Sequence, residues 1–257
     1  MADTQNRILE YVIENQRADV SELAAMMAVS EATVRKNLDR LERVGLLRRE
    51  HGYAVAAAED NMLSRLAYHH DIKRRIARRA AESVTDGETV MIESGSSCAL
   101  LAQDLVQSNR GITIITNSAF IADFTRRSEN ARIVLLGGDY QPESQVCVGP
   151  VTASAAANFF VTRLFVGIDG YTEESGFTAK NHMRAEAVQA MARQAEELVV
   201  VTESLKFPRQ GAVRLTAASD VHTLYTDDRL PAPIQSQLTA HGVTVVKVAA
   251  GAPRAIA

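Results

Sequence analysis

Apolar positions follow two different rhythms along this chain. Up to about residue 57 they recur at helical spacing between capped, polar turns. Beyond about residue 83 they gather into short β-branched runs with helical patterns between them. The stretch "AVAAAED" at 54–60 breaks the composition between the two regimes and marks a linker. A helical continuation from Asn61 to Glu82 joins the two parts.

The first regime predicts three helices and a hairpin. "TQNRILEYVIEN" puts Ile8, Leu9, Val12 and Ile13 on one helical face. "SELAAMMAV" starts at Ser21, read as an N-cap, and turns Leu23, Met26 and Met27 inward. "SEATVRKNLDRLERVG" starts at a second N-cap, Ser30, carries Val34, Leu38 and Leu41 inward, and stops at Gly45. "LLRREHGYAV" has short apolar ends around His51-Gly52 and reads as a hairpin.

The second regime alternates. Strand-like runs occur at "ETVMIE", "GITIIT", "ARIVLLG", "RLFVGID", "ELVVVTE", "HTLYTD" and "VTVVKVA". Helical patterns fall between several of them, at "CALLAQDL", "AFIADFTRR", "TASAAANFF", "RAEAVQAMARQA" and "APIQSQLTAHG". Such alternation predicts a mostly parallel sheet covered on both faces, with ligands at the carboxyl ends of its strands.

Composition narrows the class. The 257 residues, 46% hydrophobic and 23% charged, suit one large domain or two unequal ones. With a formal net charge of -3, any DNA contact must come from a local patch. The two cysteines, Cys98 and Cys147, have no metal-like spacing, so neither a disulfide framework nor a metal site is expected, and no cofactor is called for. Cys98 reads as a small buried hydrophobe. The polar start "MADTQNRILEYV" is unlike a signal peptide, and no apolar run approaches membrane-spanning length. The expected location is the cytoplasm.

Two stretches carry candidate chemistry. Two short helices joined by a tight turn, the second one capped, form the helix-turn-helix plan, in which the N-terminal residues of the second helix reach base edges. Glu31, Ala32, Thr33, Arg35, Lys36 and Asn37 occupy exposed positions early in that helix. Arg35 is suited to guanine and Asn37 to adenine, whereas Arg40, Arg43, Arg48 and Arg49 are suited to phosphates. The bland alternative is a helical bundle with a solvated basic face. The other stretch is "MIESGSSCALLAQDL" at 91–105, a strand, a small-residue turn and a helix. The free amides of the helix start and the hydroxyls of Ser94, Ser96 and Ser97, with Gly95 allowing close approach, can donate to phosphate oxygens. The nucleotide loop ending in Gly-Lys-Ser/Thr is absent. A third basic segment, "HHDIKRRIARRAAE" at 69–82, reads as an amphipathic helix with a solvated face, Lys73 being its candidate for a ligand phosphate.

The stretch "VSEATVRKNLDRLERVGLLRREHGYAV" resembles the winged helix-turn-helix of the DeoR/GlpR-type repressors. It departs from them at Lys36-Asn37, usually Arg-Asp, and at Tyr53, usually glycine. The resemblance extends from Thr4 to about Asp228. Glu93-Ser94-Gly95-Ser96-Ser97 stands where the family has "DSGTT", followed by "ITNS", "LLGG", "GIDG" and "GFTAKNHMRAEAV". "TESLKF" resembles a segment reading Asp-x-x-Lys, with Glu203 and Lys206 in those places.

What the resemblance implies is an α/β protein. An N-terminal winged helix-turn-helix domain (1–57) is followed by a linker and first sensor helix (58–82). A larger Rossmann-like sensor domain (83–257), similar to ribose-phosphate isomerase, completes the chain. DNA contacts then fall to Ser30, Thr33, Arg35, Lys36, Asn37, Arg40, Arg48 and Arg49. Effector contacts fall to Ser94, Gly95, Ser96, Ser97, Asn117, Asp169, Glu203 and Lys206, with Glu203 orienting Lys206. Each effector residue has a structural alternative: a tight connection for Ser94, Gly95, Ser96 and Ser97, a helix cap for Asp169, an internal ion pair for Glu203 and Lys206, and a turn residue for Asn117. Glu186 is either a pocket acid or one end of a helix-face ion pair. The implied partners are operator DNA, a phosphorylated sugar or polyol, and further copies of the chain as a dimer or tetramer. The implied function is a regulator, a repressor of a carbohydrate or polyol utilisation operon. The alternative is a sugar-phosphate isomerase or deaminase with a fused DNA-binding domain.

Overall fold

A computed structural model describes residues 2–58, 60–108, 111–207 and 209–251, without the side chains of residues 2 and 3. Glu59, inside the expected linker, and residues 252–257 of the expected sensor domain lie outside the described residues. The described residues divide into two compact units, 2–70 and 71–251.

The first unit contains α1 (Ala2–Asn15), β1 (Arg17–Asp19), α2 (Val20–Met27), α3 (Glu31–Arg43), β2 (Leu47–Glu50), β3 (Tyr53–Ala56) and α4 (Met62–Ala67). Ile8, Leu9 and Val12 meet Leu23, Val34, Leu38 and Leu41 in one buried cluster, so the helical spacing read from the sequence is the spacing of the core. Two details differ. The N-cap of α2 is Asp19 rather than Ser21, because the Asp19 side chain accepts from the Ser21 amide at 2.7 Å. The Ser21 hydroxyl, and after it the Ser21 amide, hold the Asp19 carboxyl below its ordinary value. The hairpin also gains a third strand: β1 pairs with β3, giving the antiparallel order β1-β3-β2. The turn is tight because His51 and Gly52 both take positive φ, 47° and 90°, the two-residue geometry that suits twisted strands.

The helix expected from Asn61 to Glu82 is interrupted. Tyr68 leaves α4 in an extended conformation and His69 takes φ 52°, after which α5 (His70–Ala81) begins.

The second unit is built on seven strands, β4 (Thr89–Ile92), β5 (Thr113–Thr116), β6 (Arg132–Leu135), β9 (Val161–Val166), β12 (Ala195–Val201), β14 (Thr223–Asp227) and β15 (Thr244–Val248). Their order is β15-β14-β12-β9-β4-β5-β6 and every neighbouring pair is parallel. All seven correspond to the apolar runs of the sequence. Val90, Met91 and Ile92 are all fully buried, and consecutive strand residues point to opposite faces, so the sheet is covered on both sides. The covering helices include α6 (Ser96–Gln107), α7 (Ala119–Phe124), α8 (Pro150–Ala156), α9 (His182–Ala192) and α10 (Ala232–Ala240). Short antiparallel pieces complete the unit: β7 (Asp139–Gln141) with β8 (Val146–Val148), and β10 (Gly170–Thr172), β11 (Gly176–Ala179) and β13 (Val213–Thr216).

Strand order reverses at one place. From β4 the chain moves outward to β5 and β6, then returns to lay β9 on the other side of β4 and continues to β12, β14 and β15. The crevice outside the carboxyl ends of β4 and β9 is therefore the switch point where ligands of such sheets bind.

Candidate functional site

The N-terminal unit presents one helix start and one hairpin face. Ser30 caps α3, its hydroxyl accepting from the Thr33 amide at 3.2 Å and lying 3.0 Å from the Thr33 hydroxyl. Thr33, Arg35, Lys36 and Arg40 are exposed along the outer side of the helix. Arg35 is held by Glu31 one turn earlier, at 2.6 Å. Asn37 is placed differently from the expectation. It is 6% exposed, and its Nδ2 donates to the Thr33 carbonyl at 3.0 Å. Its side chain is turned into the core and bonded to its own helix, where an exposed position was expected.

The hairpin arginines also separate. Arg49 pairs with Asp39 of α3, and its amide donates to Glu42 at 2.9 Å. It fastens the hairpin to the helix. Arg48 points outward, with Glu50 at 3.9 Å.

In the second unit the switch-point crevice brings three strand ends together. After β4, Glu93 is buried and turns its carboxylate back into the loop. One oxygen accepts from the Ser94 hydroxyl at 2.7 Å. The other accepts from the Gly95 amide at 2.8 Å and from the Gly167 amide, beyond β9, at 3.2 Å. The two loops touch: a Cβ on Gly95 would lie 3.1 Å from Glu93 Oε2 and 3.5 Å from Gly167 Cα. Ser94 and Gly95 are thus engaged with Glu93 and are not the open donors of the turn. Among the described residues, the amides and hydroxyls of Ser96 and Ser97 meet no protein partner. These are the first two residues of α6, where a helix leaves its amides free.

Asp169 ends the loop after β9. Its Oδ2 accepts from the Lys180 amide at 2.9 Å, and its Oδ1 lies 3.9 Å from the Lys206 ammonium. Lys206 sits on the single 3-10 turn Ser204–Lys206 that follows β12. The Lys206 amide donates to the Glu203 carbonyl at 3.1 Å. Glu203 is 4% exposed and pairs at 3.8 Å with Lys73 of α5, itself 5% exposed. Beside the expected Glu203–Lys206 partnership, two further pairs stand here, Glu203–Lys73 and Asp169–Lys206. Lys73 is accordingly a buried exception on a helix otherwise solvated at Arg74, Arg75, Arg78 and Arg79.

Asn117 follows β5 and is 1% exposed. It exchanges bonds with Cys147, Nδ2 donating to the carbonyl at 3.1 Å while its own carbonyl accepts from the Cys147 amide at 2.8 Å. It ties β8 to the sheet end. Glu186 lies exposed on α9, whereas Arg184 beside it is 8% exposed. Sequence reasoning singled out neither Glu93 nor Arg184 as a buried charge. Arg184 was detectable, because it shares a helical stripe with Ala187, Val188 and Met191.

The comparisons with known proteins agree on both units. A DeoR-like helix-turn-helix domain model matches residues 5–60, and the DeoR C terminal sensor domain model matches residues 68–228. The chain is similar to a putative aga operon transcriptional repressor of Escherichia coli O157:H7, 25% identical over 253 residues, covering 96% of this chain and 94% of that protein. It is 29% identical over 249 residues to the transcriptional regulator GlpR of Haloferax volcanii, covering 95% and 97%. To the glycerol-3-phosphate regulon repressor of Escherichia coli K12 it is 27% identical over 248 residues, covering 95% and 98%. Among solved structures it is similar to ribose 5 phosphate isomerase A of Neisseria gonorrhoeae, with TM-score 0.39, 16% identity and 52% of each chain covered.

Proposed function

The chain belongs to the DeoR family of transcriptional regulators, and from that premise we propose that it represses a carbohydrate or polyol utilisation operon in response to a phosphorylated sugar. Residues 1–57 read the operator, 58–82 connect, and 83–257 sense the effector. The partners are operator DNA, a sugar or polyol phosphate and further copies of the chain, in the cytoplasm. Within the described residues no helix is long and apolar enough to cross a membrane.

The observation that carries the reading is the crevice at the β4–β9 switch point. Free amides and hydroxyls of Ser96 and Ser97 face the start of α6 on one side, and the Asp169–Lys206 pair stands at the neighbouring strand end. A helix start favours a phosphate dianion through its amides and its dipole. A carboxylate beside an ammonium suits the hydroxyls of a sugar. Glu93 shapes the loop, Asn117 follows the end of β5 and Glu203 follows the end of β12. On the DNA side, Arg35 and Lys36 reach base edges, while Ser30, Thr33, Arg40 and Arg48 meet phosphates and Arg49 positions the wing.

The effector acts by binding one arrangement of the protein more tightly than another. A coupling of about 1–3 kcal/mol changes operator affinity by roughly 5–150-fold. The isomerase or deaminase alternative would need a proton-transferring base at the same crevice, for which Asp169 is the candidate. All the relatives described above carry regulators' names, which favours a sensor without turnover. A thermal-shift screen of sugar phosphates, followed by NMR of the best binder with the protein, tests the choice. Binding without chemical change is expected. Turnover at about one per second or faster would support the enzyme.

A further inference from the structure

The hairpin sheet of the N-terminal unit has an inner and an outer face. Ala18, Ala54 and Ala56 are buried, so the residues alternating with them face outward. The register places Arg17 of β1 and Arg48 of β2 on either side of Val55, and Asp19 and Glu50 on either side of Tyr53. Tyr53 is the first residue after the hairpin turn. Arg17 does not stay in its own row. Its guanidinium carbon lies 3.6 Å from the centroid of the Tyr53 ring, a stack that carries the charge diagonally toward the tip of the wing.

The arginines of this unit differ in what neutralises them. Arg35 is bonded to Glu31, Arg49 to Asp39, and Arg48 has Glu50 within reach. Asp19, the acid nearest Tyr53 on the β1 side, is committed to capping α2. Among the described residues Arg17 makes no ion pair, yet its side chain is ordered by the ring beneath it. An exposed arginine is ordinarily a floppy donor. One already laid flat on an aromatic ring presents its donors at a fixed place and loses less freedom on meeting a phosphate.

We propose that Arg17, held by Tyr53, is a phosphate-contacting residue of the wing, and that it binds the backbone of duplex DNA independently of sequence. Tyr53 is its positioning residue. This rests on the DNA-binding reading of the N-terminal unit.

The test measures full-length protein binding to a short duplex of random sequence by fluorescence anisotropy across a series of salt concentrations. Removing one phosphate contact should reduce the slope of log K against log salt by about 0.9. Arg17→Ala and Arg17→Gln are both expected to lower the slope by that amount, with an unchanged unfolding temperature. Tyr53→Phe, which keeps the ring, should match wild type. Tyr53→Thr, which keeps a strand-forming residue but no ring, should weaken binding in the same direction, and Arg17→Ala/Tyr53→Thr should be no weaker than Arg17→Ala. An unchanged slope in both Arg17 variants, while Arg48→Ala lowers it, would overturn the proposal and leave DNA binding standing. Wild type that binds no duplex at any salt concentration would overturn the DNA-binding reading together with it.

Discussion

Removing the Glu93 carboxylate should loosen the crevice at its hinge. That carboxylate accepts three hydrogen bonds, from the Ser94 hydroxyl and from the Gly95 and Gly167 amides. A hydrogen bond to a charged group contributes about 1.5–3 kcal/mol, and a buried donor left without an acceptor costs about 1–3 kcal/mol. The three bonds share one group, so they do not add in full. Glu93→Ala should therefore cost about 2–4 kcal/mol, while Glu93→Gln, which keeps an oxygen for the amides, should cost about half as much. In a unit of this size each kcal/mol shifts the midpoint by about 2–4 °C, so the Ala variant should unfold roughly 4–16 °C early. Calorimetry of the full chain, with urea unfolding at fixed temperature, measures both. An Ala variant within about 0.5 kcal/mol of wild type, the range of ordinary surface changes, would refute the reasoning. The carboxylate would then not be what holds the two loops together.

Other expectations follow from single contacts. Arg35→Ala should reduce the preference for operator over scrambled DNA by about 1–3 kcal/mol, whereas Asn37→Ala should lower stability by about 1 kcal/mol and leave that preference alone; competition binding separates them. Ser96→Asp should abolish the effector response and keep operator binding, since a carboxylate at the start of α6 repels a phosphate and occupies its donors; a variant with normal circular dichroism that still responds would count against the cradle. Burial raises the Asp104 carboxyl above its ordinary value of 3.8, against the pull of Arg74 and Arg78. A raised acid contributes stability below its unfolded pKa and loses it as pH rises through the folded one, so Asp104→Asn should melt above wild type at pH 7, and the gap should close toward pH 3.8.

Much of this fold was legible in the sequence because burial leaves a direct trace there. The seven sheet strands are two-sided and therefore read as continuous β-branched runs. The pieces not read from the sequence, β1, β7, β8, β10, β11 and β13, lie in antiparallel pairs and three-stranded sheets outside the seven-stranded sheet, where a strand need not be a two-sided apolar run. Lys73 shares the inward stripe of Ile76, Ala77 and Ala80, so its burial was readable from spacing alone. Its partner was not. Glu203 and Lys206 stand three apart, which suggests a pair, but that Lys73 lies 3.8 Å from the one and Asp169 3.9 Å from the other depends on tertiary contacts. Glu93 was opaque for the same reason, because one amide it accepts from belongs to Gly167 on another strand end. Asn37 is polar and near the helix start, which suggests a reader of bases, but it stands three residues after Val34 and four before Leu41, so its inward turn was readable from spacing as for Lys73.

The central claim is that one chain couples a sugar phosphate to DNA. The most direct measurement selects a preferred duplex from a random library with the purified protein, then titrates that duplex by anisotropy with and without each sugar phosphate found to raise the unfolding temperature. At least one of them is expected to change affinity for the selected duplex by roughly 5–150-fold, and Ser96→Asp to remove the change. Sugar phosphates that bind the protein yet leave its DNA affinity unmoved would contradict that claim.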